Sequence, residues 1–182
     1  MSQKGASGGL LSGSGGAPDF DHPLEMLAAC HGRIEDRCDL LHRLVEHLAA
    51  SGCDGQARQA ATSVLRYFDT AGEHHHEDEE QNLFPALVLA GEPAAVRLVK
   101  KLRADHVLMR AAWRRLRAPL EQLAAGQGVS LDAGDVEAFT TLYREHIARE
   151  DAELLPLAQR VLDDERLRTI GAAMAQRRGV RV

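Results

Sequence analysis

Two short stretches of the chain carry the same arrangement of histidine and acidic residues. His75 is followed four residues later by Glu79, and His146 by Glu150, and in each copy a proline stands ten positions after the histidine. The two copies lie 71 residues apart. Imidazoles and carboxylates bind metal ions, and a helix places residues four apart on one face, with Cβ atoms about 6 Å apart. Each copy therefore predicts a pair of side chains that can bind one ion together.

A further histidine precedes each copy, which indicates an internal duplication. His31 and His106 lie 75 residues apart, and each comes four residues after a leucine. The chain thus predicts two helical hairpins, each with one histidine on its first helix and a His-x-x-x-Glu pair on its second. One such pair arises easily by chance. Two copies in the same register, each followed by Leu-x-Pro, are much stronger evidence for a shared site.

The remaining sequence predicts the helices that position these residues. Apolar residues recur at helical spacing in four long segments, with N-termini near Asp21, Asp54, Pro93 and either Ser130 or Asp132. Short connections make consecutive helices antiparallel neighbours. The predicted fold is therefore all-α, an up-down-up-down antiparallel four-helix bundle with a short C-terminal helix over residues 164–177. An α-solenoid is the alternative, but two hairpins fall short of the roughly three repeats that it needs.

Composition and charge limit the class of protein. The 182 residues are 45% apolar and 27% charged, which suits one soluble domain with a sizeable core. A formal net charge of −5 argues against nucleic acid as the main partner, and no apolar run approaches the ~18 residues of a membrane span. Residues 1–20 predict a disordered Gly/Ser-rich tail without a secretory signal, and residues 21–178 the domain. Three cysteines without a C-x-x-C pair fit a reducing compartment, so we expect a cytoplasmic location.

Antiparallel packing would bring the four histidine-bearing faces together at the centre of the bundle. Phe68 and Val99 each stand seven positions before a motif histidine, which in a regular helix puts them within about 20° of it. The faces that carry the histidines are thus predicted to be core faces, where unpaired imidazoles and carboxylates are costly. Two metal ions with two bridging carboxylates would satisfy these groups, whereas the alternative is a set of solvated residues on helix surfaces. The predicted ligands are His31, His75, Glu79, His106, His146 and Glu150.

Other histidines leave alternatives open. His76 and Glu80 repeat the four-residue spacing one position later, but only the earlier register matches the second copy. His74 and His76 are expected to face solvent or a neighbouring helix, with metal binding as the alternative for each. His42 lies about 16 Å along its helix from His31, too far to bind the same ion.

The combined pattern resembles the hemerythrin-like (HHE cation-binding) domain family. His31, the motif from His75 to Pro85, His106 and the pair His146-x-x-x-Glu150 occur in family order between residues 21 and 162. The resemblance implies a non-haem di-iron centre, with two iron ions bridged by carboxylates and by oxide or hydroxide. It also implies a small ligand, namely O2, nitric oxide or peroxide, and a role in sensing, scavenging or iron handling.

The chain departs from the oxygen-carrying members of that family at two points. Those members have two histidines four residues apart on the third helix, whereas Leu102 and Arg110 flank His106 at that spacing. Their last carboxylate is an aspartate five residues after its histidine; Asp151 stands there, but Glu150 has the better helical phase. Four histidines and two glutamates resemble the branch implicated in iron-centre repair and in nitric oxide or peroxide handling. Reversible O2 carriage or storage and iron donation to damaged centres are the alternatives, and the residues leave open whether the protein is an enzyme.

Overall fold

Five helices make up the part of the protein that the computed structural model describes, residues 19–180. They are α1 (Pro23–Ser51), α2 (55–89), α3 (Pro93–Ala124), α4 (133–161) and α5 (Asp164–Arg177). Between residues 19 and 180 there is no strand, and no helix is both long and apolar enough to cross a membrane. α1 and α3 each pack against α2 and α4, so the four long helices form a bundle, and α5 packs across α1 and α2. The all-α bundle prediction is confirmed.

Aspartates define the starts of three helices. Asp54, Asp132 and Asp163 each accept a hydrogen bond from the backbone N–H three residues ahead, at 2.8–2.9 Å. Such N-caps satisfy a free N–H of the first turn and typically stabilise a helix by about 1 kcal/mol. Asp132, rather than Ser130, therefore begins α4. α1 begins directly after His22, close to the predicted Asp21, and no side chain caps it.

π-helical turns widen α2 and α4 at the same position of the duplicated motif. The turns are Glu79–Leu83 and Glu150–Leu154, and each is closed by a backbone N–H that donates to the carbonyl five residues back. Pro85 and Pro156 each stand two residues after the last residue of the turn. Proline has no N–H for the carbonyl four residues back, so the regular helical bonding cannot continue through it. The proline shared by both copies thus accounts for a wider turn that begins at each motif glutamate.

The core consists of two apolar clusters with a polar layer between them. One cluster surrounds Phe68 and Phe139, and the other surrounds Leu83 and Leu102. Along every long helix, the motif histidine lies between residues of the two clusters, as His31 does between Leu27 and Ile34. The polar layer is therefore enclosed on both sides by packed side chains.

The N-terminal tail predicted over residues 1–20 lies outside the described residues up to residue 18. Phe20 is half-buried, and the guanidinium of Arg178 lies 6.0 Å from the centre of its ring. The carbonyl oxygen of Phe20 packs so closely against Gly171 of α5 that any Cβ there would collide with it. Contacts between the N-terminal part of the described chain and α5 therefore begin at Phe20.

Candidate metal centre

All six residues selected by the duplicated motif lie in the polar layer. Each is at most 3% exposed, which excludes the interpretation as solvated helix-surface residues. Every long helix contributes: α1 carries His31, α2 carries His75 and Glu79, α3 carries His106, and α4 carries His146 and Glu150. Because the four helices bury these side chains together, their polar atoms must satisfy one another or a bound cation.

The ligand atoms form two groups of four, and within each group all atoms lie within 4.8 Å of one another. Glu79 and Glu150 belong to both groups. The first group adds the histidines of the first hairpin, His31 and His75, and the second adds His106 and His146. Each group thus consists of two imidazoles and two carboxylates, a donor set that suits iron and other first-row transition metals.

Each shared carboxylate directs one oxygen at each group. The four oxygen–nitrogen distances are 3.3 and 3.2 Å from Glu79 to His75 and His106, and 3.2 and 3.0 Å from Glu150 to His31 and His146. In both glutamates the two distances involve different oxygens, one for each group. A carboxylate in this position can bind two cations at once. Both glutamates therefore belong to the two donor groups through separate oxygens.

Two imidazole nitrogens face each other across the second group. His106 Nδ1 lies 2.7 Å from the carboxylate of Glu80, which assigns the ring proton to Nδ1 and leaves a lone pair on Nε2. This Nε2 lies 3.1 Å from Nε2 of His146, whose own Nδ1 lies 3.5 Å from Asp105. At this distance a proton on His146 Nε2 makes a hydrogen bond to His106 Nε2, and a metal cation between the two nitrogens can take the place of that proton.

Burial keeps two of the imidazoles neutral. Desolvation lowers the pKa of His75 to about 3, and desolvation together with His146 lowers the pKa of His106 to about 4. His31 behaves differently: burial lowers its pKa, but the neighbouring carboxylates of Glu150 and Asp151 outweigh that effect and raise it. Neutral imidazole is the form that binds a metal, so His75 and His106 are ready to do so at neutral pH.

The pKa values of the two shared carboxylates are shifted in opposite directions. Burial, together with the nearby charge of Glu150, raises the pKa of Glu79 well above its usual value. Burial also acts to raise the pKa of Glu150, but its contacts with His146 and His31 prevail and lower it well below its usual value. The raised pKa favours the protonated form of Glu79 beside the ionised Glu150 in the metal-free protein. A pair of cations would displace that proton and remove the repulsion between the glutamates.

Two further acidic side chains contact the histidine nitrogens that point away from the donor groups. Glu80, on α2, lies 2.7 Å from Nδ1 of His106 on α3, and Asp151, on α4, lies 2.7 Å from Nδ1 of His31 on α1. Each hairpin therefore orients the upstream histidine of the other hairpin. Sequence reasoning considered these two acids only as alternative ligands and missed this role. The available signal was that each motif glutamate is directly followed by another acid.

We expect Glu80→Ala and Asp151→Ala each to weaken metal binding about 10–100-fold without abolishing it. The physical reason is that the outer carboxylate fixes the ring orientation and raises the basicity of Nε2. Competition titration with a chelator of known affinity measures the effect. Glu145→Ala is the matched control, because Glu145 is an exposed residue adjacent to His146. Unchanged affinity in both acid variants would contradict the assigned role.

α5 holds the backbone beside Glu79 through a buried ion pair. Asp78 is fully buried and accepts hydrogen bonds from Arg177 and from Arg178, whose Nη2 lies 2.6 Å from Oδ2. Arg177 also donates to Asn82, at 2.9 Å. The C-terminal helix is therefore tied to the π-helical turn of α2 on which Glu79 stands. Nothing in the sequence pattern alone indicated this contact, which joins residues about 100 positions apart.

The π-helical segment Tyr67–Gly72 changes which residues of α2 face inward. A regular helix would place Phe68 and His75 on one face, but the wider turn takes up about one extra residue. Phe68 and His76 consequently share a neighbour, Tyr143, at ring distances of 5.3 and 5.8 Å, while His75 faces His31. The prediction that Phe68 and His75 lie on the same face of α2 is therefore wrong.

Five histidines lie outside the donor groups: His76 is buried, His42, His47 and His74 are half-buried, and His22 is exposed. His76 is 3% exposed and packs between α3 and α4, so the solvent-facing alternative is wrong for it. His74 is half-buried. His42 lies away from both groups, with its Nε2 2.9 Å from the hydroxyl of Thr140, as its distance along α1 predicted.

Comparison with known proteins agrees with this geometry. The sequence model of a protein family, the hemerythrin HHE cation-binding domain, matches residues 22–158. The chain belongs to this family. The hemerythrin-like chain is also 31% identical over 162 residues to an uncharacterized protein of Haemophilus influenzae, a match that covers 89% of this chain and 93% of the relative. The predicted resemblance is confirmed, and the buried histidine and glutamate groups fit the cation site that the family description implies.

Proposed function

We propose that this hemerythrin-like protein holds two iron ions and uses them to bind or transform a small oxidant, O2, nitric oxide or peroxide. The observation that carries the proposal is the pair of four-donor groups that share Glu79 and Glu150. Sharing two carboxylates between two imidazole pairs is the donor pattern of a dinuclear centre in a helical bundle. The proposed ligands are those of the two groups: His31, His75, Glu79, His106, His146 and Glu150.

A di-iron centre supplies redox-active cations with coordination positions left open for a small ligand. The chain's own residues supply the surroundings. Glu79 and Glu150 hold the ions close together and offset part of their mutual repulsion. Glu80 and Asp151 keep the protons of His106 and His31 on the outer nitrogens, so that the inner lone pairs face the cations. The apolar clusters on either side limit the entry of water.

Reversible O2 carriage is the less favoured alternative. Leu102, one of the two positions where the oxygen carriers would have a further histidine, packs fully buried in an apolar cluster. Arg110, the other position, forms an ion pair with Glu80 at 3.0 Å. Neither residue can replace a histidine ligand, so the centre differs from that of the carriers on its α3 side.

Anaerobic loading with ferrous iron, followed by stopped-flow mixing with O2, nitric oxide or peroxide, tests the proposal. We expect about two iron ions per chain and a rapid change in near-ultraviolet absorption with at least one oxidant. Repeated turnover would identify an enzyme, and a change that reverses on removal of the ligand would identify a carrier or sensor. Zinc-loaded protein is the control, because zinc has no redox chemistry. Iron-loaded protein that reacts with none of the three would overturn the proposal.

A further inference from the structure

Five of the seven phenylalanine, tyrosine and tryptophan side chains lie in one cluster. The sequence contains one tryptophan, two tyrosines and four phenylalanines. In this aromatic cluster, adjacent ring centres lie 4.9–5.6 Å apart, and its members are Tyr67, Phe68, Trp113, Phe139 and Tyr143. Aliphatic residues fill an apolar core equally well. The cluster instead contains the tryptophan and both tyrosines, which lose a single electron more readily than any aliphatic side chain.

The inner end of the aromatic cluster lies one ring away from the second donor group. Tyr143 is buried and stacks on His76, with ring centres 5.8 Å apart and planes inclined by 14°. His76 in turn stacks on His106, a proposed ligand, with ring centres 4.1 Å apart. The cluster and the second donor group are therefore joined by stacked rings.

The outer end of the aromatic cluster reaches the protein surface at Trp113. This residue is half-buried, and its indole Nε1 donates a hydrogen bond to Asp69, at 3.0 Å. Arg117 holds the same carboxylate, with its Nε 3.1 Å from each oxygen. An indole that loses an electron becomes a much stronger acid, so a carboxylate at Nε1 can take its proton. Trp113 is therefore placed to give up one electron and one proton together.

Phe68 and Phe139 connect the two ends of the aromatic cluster. Phe68 lies 5.1 Å from Trp113 and 5.3 Å from Tyr143, measured between ring centres. Phe139 lies 5.6 Å from Trp113 and 4.9 Å from Tyr143. The transfer of single electrons through a protein slows steeply with the distance and with gaps between groups. Because every step from Trp113 to His76 joins neighbouring rings, the cluster provides a continuous path between the surface and the second donor group.

We propose that Trp113 is an electron-donating site through which the protein reduces peroxide with electrons from a small one-electron donor such as ascorbate. The inference rests on the proposed iron centre and on its reaction with peroxide. Trp113 loses one electron, which passes along the rings to the centre, and its Nε1 proton moves to Asp69. The external donor then returns an electron and a proton to the indole radical.

The reduction of one peroxide molecule to two water molecules takes two electrons and two protons. Two successive losses from Trp113 supply both electrons. Asp69 releases the two indole protons to the solvent, and two protons from the solvent complete the two water molecules. Each ascorbate gives up one electron and one proton, so that the indole and the carboxylate return to their starting states.

Freeze-quench electron paramagnetic resonance after addition of peroxide to the iron-loaded protein tests the inference. We expect a radical whose spectrum changes when the tryptophan is deuterated, and the single tryptophan of the sequence assigns this radical to Trp113. Trp113→Phe should retain its iron and lose the radical. Tyr67→Phe is the matched control and should keep the radical, because Tyr67 is also a half-buried member of the aromatic cluster.

The connecting rings and the proton acceptor are tested separately. The double variant Phe68→Leu/Phe139→Leu should lower the yield of the Trp113 radical, whereas Phe20→Leu, outside the aromatic cluster, should leave it unchanged. Asp69→Asn should also lower the yield, because an amide oxygen accepts the hydrogen bond but does not take the proton. In the absence of ascorbate, mass spectrometry should find oxidised Trp113, and added ascorbate should prevent this oxidation.

Wild-type protein that reduces peroxide without a tryptophan radical and without oxidation of Trp113 would overturn the inference and leave the proposed function intact. The same holds for protein that reacts with O2 or nitric oxide but not with peroxide. A radical that disappears in Tyr67→Phe and remains in Trp113→Phe would also overturn it. Reaction with none of the three oxidants would overturn the proposed function as well. The decisive spectra use the labelled wild-type protein, so they do not depend on the folding of a variant.

Discussion

Glu79→Ala and Glu150→Ala should each lower the bound metal from about two ions per chain to one or none. Each glutamate directs one oxygen to each donor group, so its loss removes a donor from both positions at once. It also removes a negative charge that offsets the repulsion between the ions. A terminal imidazole serves one position only and can be replaced by water. His106→Ala should therefore retain more metal than either glutamate variant, with an altered spectrum.

Elemental analysis after gel filtration measures the loss, and circular dichroism shows whether the variant is still folded. Folding is expected to survive, because each glutamate lies in the polar layer and the substitution leaves both apolar clusters intact. Glu145→Ala is again the control and should keep its full metal content. A Glu80→Ala protein that loses its metal while Glu79→Ala keeps it would shift the ligand register by one residue.

Removal of the metal should lower the melting temperature by about 8–16 °C. The bundle buries four imidazoles and two carboxylates, and several of their polar atoms have no hydrogen-bond partner. Cations that bind the folded state alone stabilise it by about 4 kcal/mol when the free concentration is 1,000 times the dissociation constant. For a domain of this size, each kcal/mol corresponds to about 2–4 °C.

Thermal denaturation with added metal and with excess chelator measures this difference. The double variant Glu79→Ala/Glu150→Ala is the control, because it should melt at the same temperature in both conditions. A wild-type protein whose melting temperature does not respond to the chelator would contradict the assignment of the buried groups as ligands.

Much of the centre follows from the sequence because the duplicated motif repeats at helical spacing. A four-residue separation puts His75 near Glu79, and His146 near Glu150, on any α-helix. The second copy decides the register, since only one of the two possible alignments in the first copy recurs. The short connections then require antiparallel packing, which brings the hairpins together. These arguments depend only on local geometry and on chain order, and the structure brings all six residues together as they predict.

The contacts between the hairpins required the tertiary structure. Whether Glu80 reaches His106, and Asp151 reaches His31, depends on the rotation and axial offset of neighbouring helices, which helical spacing does not determine. The same holds for Asp78, whose partners in α5 lie about 100 residues later in the chain. Pairing over such distances leaves no periodic signal in the sequence.

The sequence by itself determined the helical class, the two hairpins and the six candidate ligands, because each follows from a repeat distance along a single helix or from chain order. The burial of His76 was decided only by the tertiary structure. The π-helical segment Tyr67–Gly72 shifts the phase of α2 by about one residue, and a calculation at 100° per residue cannot anticipate it. Phe68 packs against Phe139 and Tyr143 in this shifted position. The imidazole of His76 lies against His106 of the second donor group.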